Sequence, residues 1–177
     1  MKYCSNCGAR VTARIPSGDD RPRFVCDTCQ VIHYENPNIV VGSIPELDDR
    51  ILFCRRAIRP RLGKWTIPAG YLENGETLVE AAKREAFEEA RAKLTDLMPY
   101  ALLNLTFVNQ VYVIFRGRLT DHDYRPGAES SEVKLLAEHE IPWDDLAFSS
   151  IREALKRYFI DRRKGTFPLH MADIQPD

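Results

Sequence analysis

The sequence predicts an α+β fold, a mixed β-sheet sandwiched between helices, with a small cysteine-rich module at the amino terminus. Three observations carry this. Four of the five cysteines fall into two Cys-x-x-Cys pairs, Cys4/Cys7 and Cys26/Cys29. Runs of alternating or β-branched apolar residues lie on both sides of a helical stretch over residues 78–91. A second stretch of helical periodicity, through Ile151, Leu155, Tyr158 and Phe159, follows the last of those runs.

Residues 1–36 form the first module. Its cysteine pairs flank an 18-residue spacer, the arrangement of a zinc ribbon, in which four thiolates close a tetrahedral Zn²⁺ site and leave no open coordination position. The zinc is therefore expected to be structural. Gly8 suits the tight turn after Cys7, and the segment has too few large apolar residues to fold without a staple. Redox or disulfide pairing is the alternative, and two pairs at ribbon spacing disfavour it. His33 is surplus to four cysteines and reads as a packed or exposed histidine.

Charge excludes several function classes. Five basic side chains in residues 1–36 (Lys2, Arg10, Arg14, Arg21, Arg23) face four acidic ones (Asp19, Asp20, Asp27, Glu35), a poor footprint for a nucleic-acid reader. The whole chain of 177 residues has net charge −1. No run approaches the ~20 apolar residues of a membrane span, and the first residues have no apolar signal core. A cytoplasmic location, reduced cysteines, and no nucleic-acid or membrane partner are the expectations.

The second module is expected over residues 37–165, from the Asn36-Pro37 boundary, with a tail at 166–177. Ile39–Ile44 and Arg50–Ile58 read as strands around the polar Glu46-Leu-Asp-Asp turn, and Trp65–Ala69 as a short third. Thr77-x-x-Glu80 is a capping box that starts a helix at Leu78, running to about Arg91. Strands follow at Leu102–Phe107, Gln110–Leu119 and Val133–Ala137, then a helix capped by Ser149 or Ser150. Cys54, in an apolar strand, is expected to be buried.

Glu85, Glu88 and Glu89 stand at i, i+3 and i+4, so three carboxylates crowd one side of a helix that their mutual repulsion weakens. Taken alone the stretch reads as a solvated face. On a helix, however, Glu85 and Glu89 project about 40° apart, near the azimuths of Leu78 and Ala82, at the margin of the apolar arc. Carboxylates aimed toward the body of a fold need a counter-ion, and hard oxygen ligands select Mg²⁺ or Mn²⁺, usually with substrate phosphate oxygens. Ala69 and Gly70, with little side chain, can bring a backbone carbonyl to the same ion.

Gly70, five residues, Glu76, seven residues, then Arg84-Glu85-Ala86-x-Glu88-Glu89 resembles the Nudix box of the Nudix hydrolases. The amino-terminal module is similar to the zinc ribbon that some of them carry. The resemblance implies Glu85 and Glu89 as main metal ligands, Glu88 as a further ligand or base, and Arg84 and Glu76 as groups that orient them. It implies water attack on one phosphorus of a pyrophosphate, with a general base from a distal loop: Glu132 is preferred slightly over Glu129. It also implies a homodimer. Arg91 departs from the pattern, which has glycine there.

The downstream motif of NADH pyrophosphatases is absent from Leu94–Asn109. The order of Asn109-Gln-Val-Tyr112, Pro126-Gly-x-Glu-Ser130 and Glu140-Ile-Pro-Trp looks like the branch acting on FAD and ADP-ribose. The expected substrate is thus a nucleoside diphosphate linked to another moiety, FAD or ADP-ribose first, NADH or another dinucleotide second. A catalytically silent nucleotide sensor is the reading from another class. Phe107, Tyr112 and Trp65 are candidates to hold a planar ring, and Arg55, Arg56 and Lys64 to touch phosphate.

Overall fold

The computed structural model describes residues 1–176. The chain divides into two compact units, Met1–Pro37 and a second from Asn38 onward. In the first, β1 (Val11–Arg14), β2 (Arg23–Cys26) and β3 (Ile32–His33) form an antiparallel three-stranded sheet. Its shielded side chains are few, Cys4, Pro16, Val25 and Cys26, so apolar burial alone gives this unit little stability.

The second unit is built on a mixed sheet. Its strands are β4 (Asn38–Leu47), β5 (Arg50–Arg56), β6 (Trp65–Thr66) and β7 (Ala69–Tyr71), then, after helix α1 (Leu78–Ala90), β8 (Leu94–Leu105), β9 (Gln110–Leu119) and β10 (Ser130–Leu136). Helix α2 (Ser149–Lys164) precedes β11 (His170–Asp173). The strand order is β10-β5-β4-β9-β8-β11, with β6 added on β5 and β7 on β4. The pairs β4/β9 and β8/β11 are parallel; the others are antiparallel.

Strand alternation divides the core between the two faces. Ile44, Phe53, Tyr112 and Ile114 pack with Ile151, Leu155, Tyr158 and Phe159 of α2. On the other face Val41, Val113 and Phe115 meet Ala81 and Ala82 of α1, while Leu52 and Cys54 meet Ala86 and Ala90. The apolar face of α1 is thus made of alanines, which lets its backbone lie close to the sheet. Leu78, Val79 and Phe87, the larger apolar residues, are exposed.

The expected helix over 78–91 and the sheet between two helices are both present. The elements differ from expectation at their ends. The β4–β5 turn shrinks to Asp48-Asp49, with Asp48 at φ 53°. Pro68, which has no N–H to donate, separates β6 from β7 where one strand was expected. Phe148, rather than a serine side chain, occupies the N-cap of α2.

The tail expected at 166–177 is a correction: β11 adds a parallel strand to the edge of the sheet. Three groups hold it there. The Asp161 carboxylate accepts from Tyr100 Oη at 2.8 Å and pairs with His170, and Arg157 lies 3.4 Å from His170 Nδ1. Asp161 sits on α2, Tyr100 on β8 and His170 on β11, three elements too distant in sequence for periodicity to join them. Asp177 lies outside the described residues.

Candidate active site and zinc site

In the first unit the Sγ atoms of Cys4, Cys7, Cys26 and Cys29 all lie within 4.8 Å of one another. Cys4–Cys29 and Cys7–Cys26 are 3.6 and 3.5 Å apart, close to the ~3.8 Å edge of a tetrahedron with Zn–S bonds of ~2.3 Å. None forms a disulfide. The Asn6 N–H points at Cys4 Sγ (3.4 Å) and the Cys29 N–H at Cys26 Sγ (3.5 Å), the amide pattern that suits thiolates. His33, read from sequence as surplus, places Nε2 3.3 Å from Cys4 Sγ and so supports a ligand rather than replacing one.

In the second unit a cleft of about 830 Å³ opens over the Nudix-like segment. Helix α1 presents Arg84, Glu85, Glu88 and Glu89 to it. The Thr77 hydroxyl accepts from the Glu80 N–H at 3.2 Å and Glu80 accepts from the Thr77 N–H at 2.8 Å, the reciprocal cap the sequence predicts. At the other end Arg91 holds φ 53°, the left-handed geometry that favours glycine. Its guanidinium lies over the Phe87 ring.

Arg84 spends all five N–H donors on the site. Nε and Nη2 grip the two oxygens of Glu76 (3.0 and 2.7 Å), Nη1 reaches Glu85 (2.6 Å) and Glu88 (3.1 Å), and Nη2 also donates to the Tyr71 carbonyl (3.0 Å). The arginine holds the Glu76 carboxyl down at about 2. Glu76 in turn accepts from the Glu73 N–H at 2.7 Å. Helix, loop and strand β7 are thereby tied through one side chain.

Glu85 and Glu89 are 8% and 5% exposed, whereas the Glu88 carboxylate points outward. Burial pushes the Glu85 carboxyl upward against the pull of Arg84. Burial first, then the charge of Glu85, pushes Glu89 up to about 8. Glu89 Oε2 is buried with no hydrogen-bond partner among the described residues. A Cβ on Gly70 would lie 2.2 Å from Glu85 Oε1, so glycine is required for that carboxylate to settle on the backbone. An orphaned carboxylate oxygen beside a second buried carboxylate and an open backbone fits a hard divalent cation.

The remaining walls come from distant segments. Ala69, Tyr112 and Phe107 line the cleft, as expected of candidate contacts. Trp65 does not: it is 8% exposed and packs in the core. Arg55 is a correction. Its Nε donates to the Gly63 carbonyl and it faces Glu132 at 3.6 Å, while Arg56, the next residue along the strand, lines the cleft instead. Lys64 is engaged by Asp145 at 2.6 Å. Burial pushes the Cys54 thiol up, and the side chain is 1% exposed.

Glu132 is the second correction. It sits within β10, ion-paired with Lys134 and Arg55 and held below its ordinary range by them. Glu129, one residue before the strand, lines the cleft. Its loop is fastened to the end of α1: the Arg125 and Gly127 N–H groups donate to the Ala90 and Glu89 carbonyls, both at 2.9 Å. A Cβ on Gly127 would fall 1.7 Å from the Glu88 carbonyl oxygen. Sequence reasoning missed Arg59 and Arg61, which also line the cleft; their one signal was a cluster of arginines in a loop.

Comparison with known proteins agrees with both units. The Nudix N-terminal zinc-ribbon model matches residues 2–35 and the NUDIX domain model residues 37–159. The NAD-capped RNA hydrolase NudC of Edwardsiella ictaluri is 38% identical over 98 residues, covering 54% of this chain and 35% of that protein. Its counterpart from Photorhabdus laumondii is 32% identical over 124 residues, covering 69% and 44%. The chain thus spans half the length or less of these two relatives. A NUDIX hydrolase of known structure from Nitrosomonas europaea is 49% identical, with a TM-score of 0.96 over 99% of this chain and 100% of that one. With its box, its sheet between two helices and its cysteine module all accounted for, the chain belongs to the Nudix hydrolase family, in the form that carries a zinc ribbon.

Proposed function

We propose that the protein is a metal-dependent pyrophosphohydrolase that splits the diphosphate of an ADP-containing dinucleotide or nucleotide sugar into AMP and a second phosphate ester. One observation carries the reading: two buried carboxylates, one with an unpartnered oxygen, open into a cleft large enough for such a molecule. Mg²⁺ or Mn²⁺ held by Glu85, Glu89, Glu88 and the Ala69 carbonyl would supply an activated water and offset charge on the phosphoryl oxygens. Arg84 and Glu76 hold the carboxylates in place. Glu129, within the cleft and anchored to α1, is positioned to take a proton from water, in preference to Glu132.

Phe107, exposed at the cleft, offers a ring to the adenine or the second moiety, while Tyr112 lines the wall but is 7% exposed, and Arg56 offers a charge for the diphosphate. Sequence order puts FAD and ADP-ribose first, and the relatives named as NAD-capped RNA hydrolases add weight to NAD, a dinucleotide of the same class. Free cysteines in a zinc ribbon suit a reducing cytoplasm. The active species in this reading is a homodimer, which light scattering checks directly. The decisive assay is release of AMP from FAD, ADP-ribose and NADH with Mg²⁺ or Mn²⁺, with Glu89→Gln as control. Binding without turnover in the wild type would replace it with the sensor reading.

A further inference from the structure

The end of β5 and the loop that joins it to β6 place Arg56, Arg59 and Arg61 along the cleft. Arg56 is engaged: its Nε donates to the Pro60 carbonyl at 2.8 Å and its guanidinium lies 5.3 Å from the Phe148 ring centroid. Arg59 and Arg61 are exposed, and among the described residues neither has an ion-pair partner, whereas neighbouring Arg55, Lys64 and Arg84 all do. Two guanidiniums are therefore left uncommitted at the rim of a site that handles phosphate.

The loop is ordered by its own backbone. The Arg56 N–H donates to Lys64 O (2.9 Å), Gly63 N–H to Arg56 O (2.8 Å) and Lys64 N–H to Arg61 O (3.1 Å). Arg61 itself holds φ 61°, in the left-handed region that favours glycine. The diphosphate is assigned Arg56, which its own contacts hold in place, so Arg59 and Arg61, farther along the loop, remain for another phosphate.

We propose that Arg59 and Arg61 form a subsite for a third phosphate, carried by the substrate outside its scissile diphosphate. Guanidinium forks are suited to this, since their paired N–H groups match phosphate oxygens. The phosphate can be a monoester on a ribose hydroxyl or the first phosphodiester of a nucleotide chain. In substrate identity the proposal rests on the pyrophosphohydrolase reading; in anion binding it does not.

The test compares matched pairs. With the full chain and Mn²⁺, kcat/KM is measured for NADH against NADPH, and for NAD against an oligonucleotide capped with NAD. The phosphorylated member of at least one pair is expected to be preferred by about tenfold, the worth of one charge-assisted contact. The pair that shows the preference identifies the source of the phosphate. In the Arg59→Gln/Arg61→Gln variant the ratio should fall to about one, through KM rather than kcat. No preference in either pair, or a preference that survives the double substitution, overturns the subsite.

A second arm separates this outcome from failure of the hydrolase reading. Calorimetric titration with ADP and with its 2′- and 3′-phosphorylated analogues, without metal, needs no turnover. At least one analogue should bind the wild type about tenfold more tightly than ADP does, and all three should bind the double variant equally. Equal affinity of ADP and both analogues for the wild type overturns the subsite even if hydrolysis of every substrate is robust.

Discussion

The protein gathers metal-ligand side chains twice, and the two clusters relate to their surroundings in opposite ways. In the ribbon, two of the four cysteines, Cys4 and Cys26, make up half of the four shielded side chains, so little but the cysteine cluster is there for the short strands to fold around. In the cleft, Glu85 and Glu89 stand on a helix already held by an apolar sheet, and their burial without full partners works against stability. One site is expected to need its metal in order to fold. The other has a fold in order to hold metal.

The largest effect expected from this difference follows chelation of zinc or Cys26→Ser. Structural zinc contributes about 10 kcal/mol or more to such modules, so the signals of residues 1–37 should collapse in NMR spectra. Those of the sheet unit should persist, and their loss would break the comparison. Next, Glu89→Gln should lower kcat by about a thousandfold, the scale of a lost transition-state charge interaction, with no loss of thermal stability. A fall in Tm beyond a few degrees would mean that the carboxylate supports the fold.

Glu129→Gln should cost about a hundredfold in kcat, the range of a general base, and Glu132→Gln less than about twofold. The reverse order would return the base to β10. In metal-free protein, Glu89 raised to about 8 means the native state keeps a proton that the unfolded chain releases above its ordinary value near 4.5. Stability from this group is complete below pH 4.5 and is lost as pH rises toward about 8, by at most about 1.4 kcal/mol per unit. Denaturant titrations at several pH values check this, and Glu89→Gln should flatten the slope. The smallest effect is Arg91→Gly, which should stabilise by about 0.5–1 kcal/mol by relieving the left-handed cap.

What could be read from sequence follows the same divide. The cysteine spacing and the box are local patterns, so Cys4 to Cys29, Glu76 and Arg84 to Glu89 could be named without knowing the fold, and the two faces of β9 follow the alternation of Val113 and Phe115 against Tyr112 and Ile114. The far side of the cleft is assembled by strand ends and loops remote in sequence. Whether Arg55 or Arg56 enters it depends on which face of β5 each occupies, and Glu129 differs from Glu132 only by the point where β10 begins. Neither is carried by residue type. The final strand was missed because its anchors, Tyr100, Asp161 and His170, have meaning only after the helix has brought them together.

Gly127 gives this contrast a mechanical form. The last carbonyls of a helix usually face water, yet those of Glu89 and Ala90 are taken up by the loop that bears Glu129. The spacing between the proposed proton acceptor and the proposed metal ligands is therefore written in peptide geometry, and the two travel as one rigid part. Most side chains in that loop can change without altering the spacing. Its length, and the bare Cα at Gly127 that permits contact, cannot.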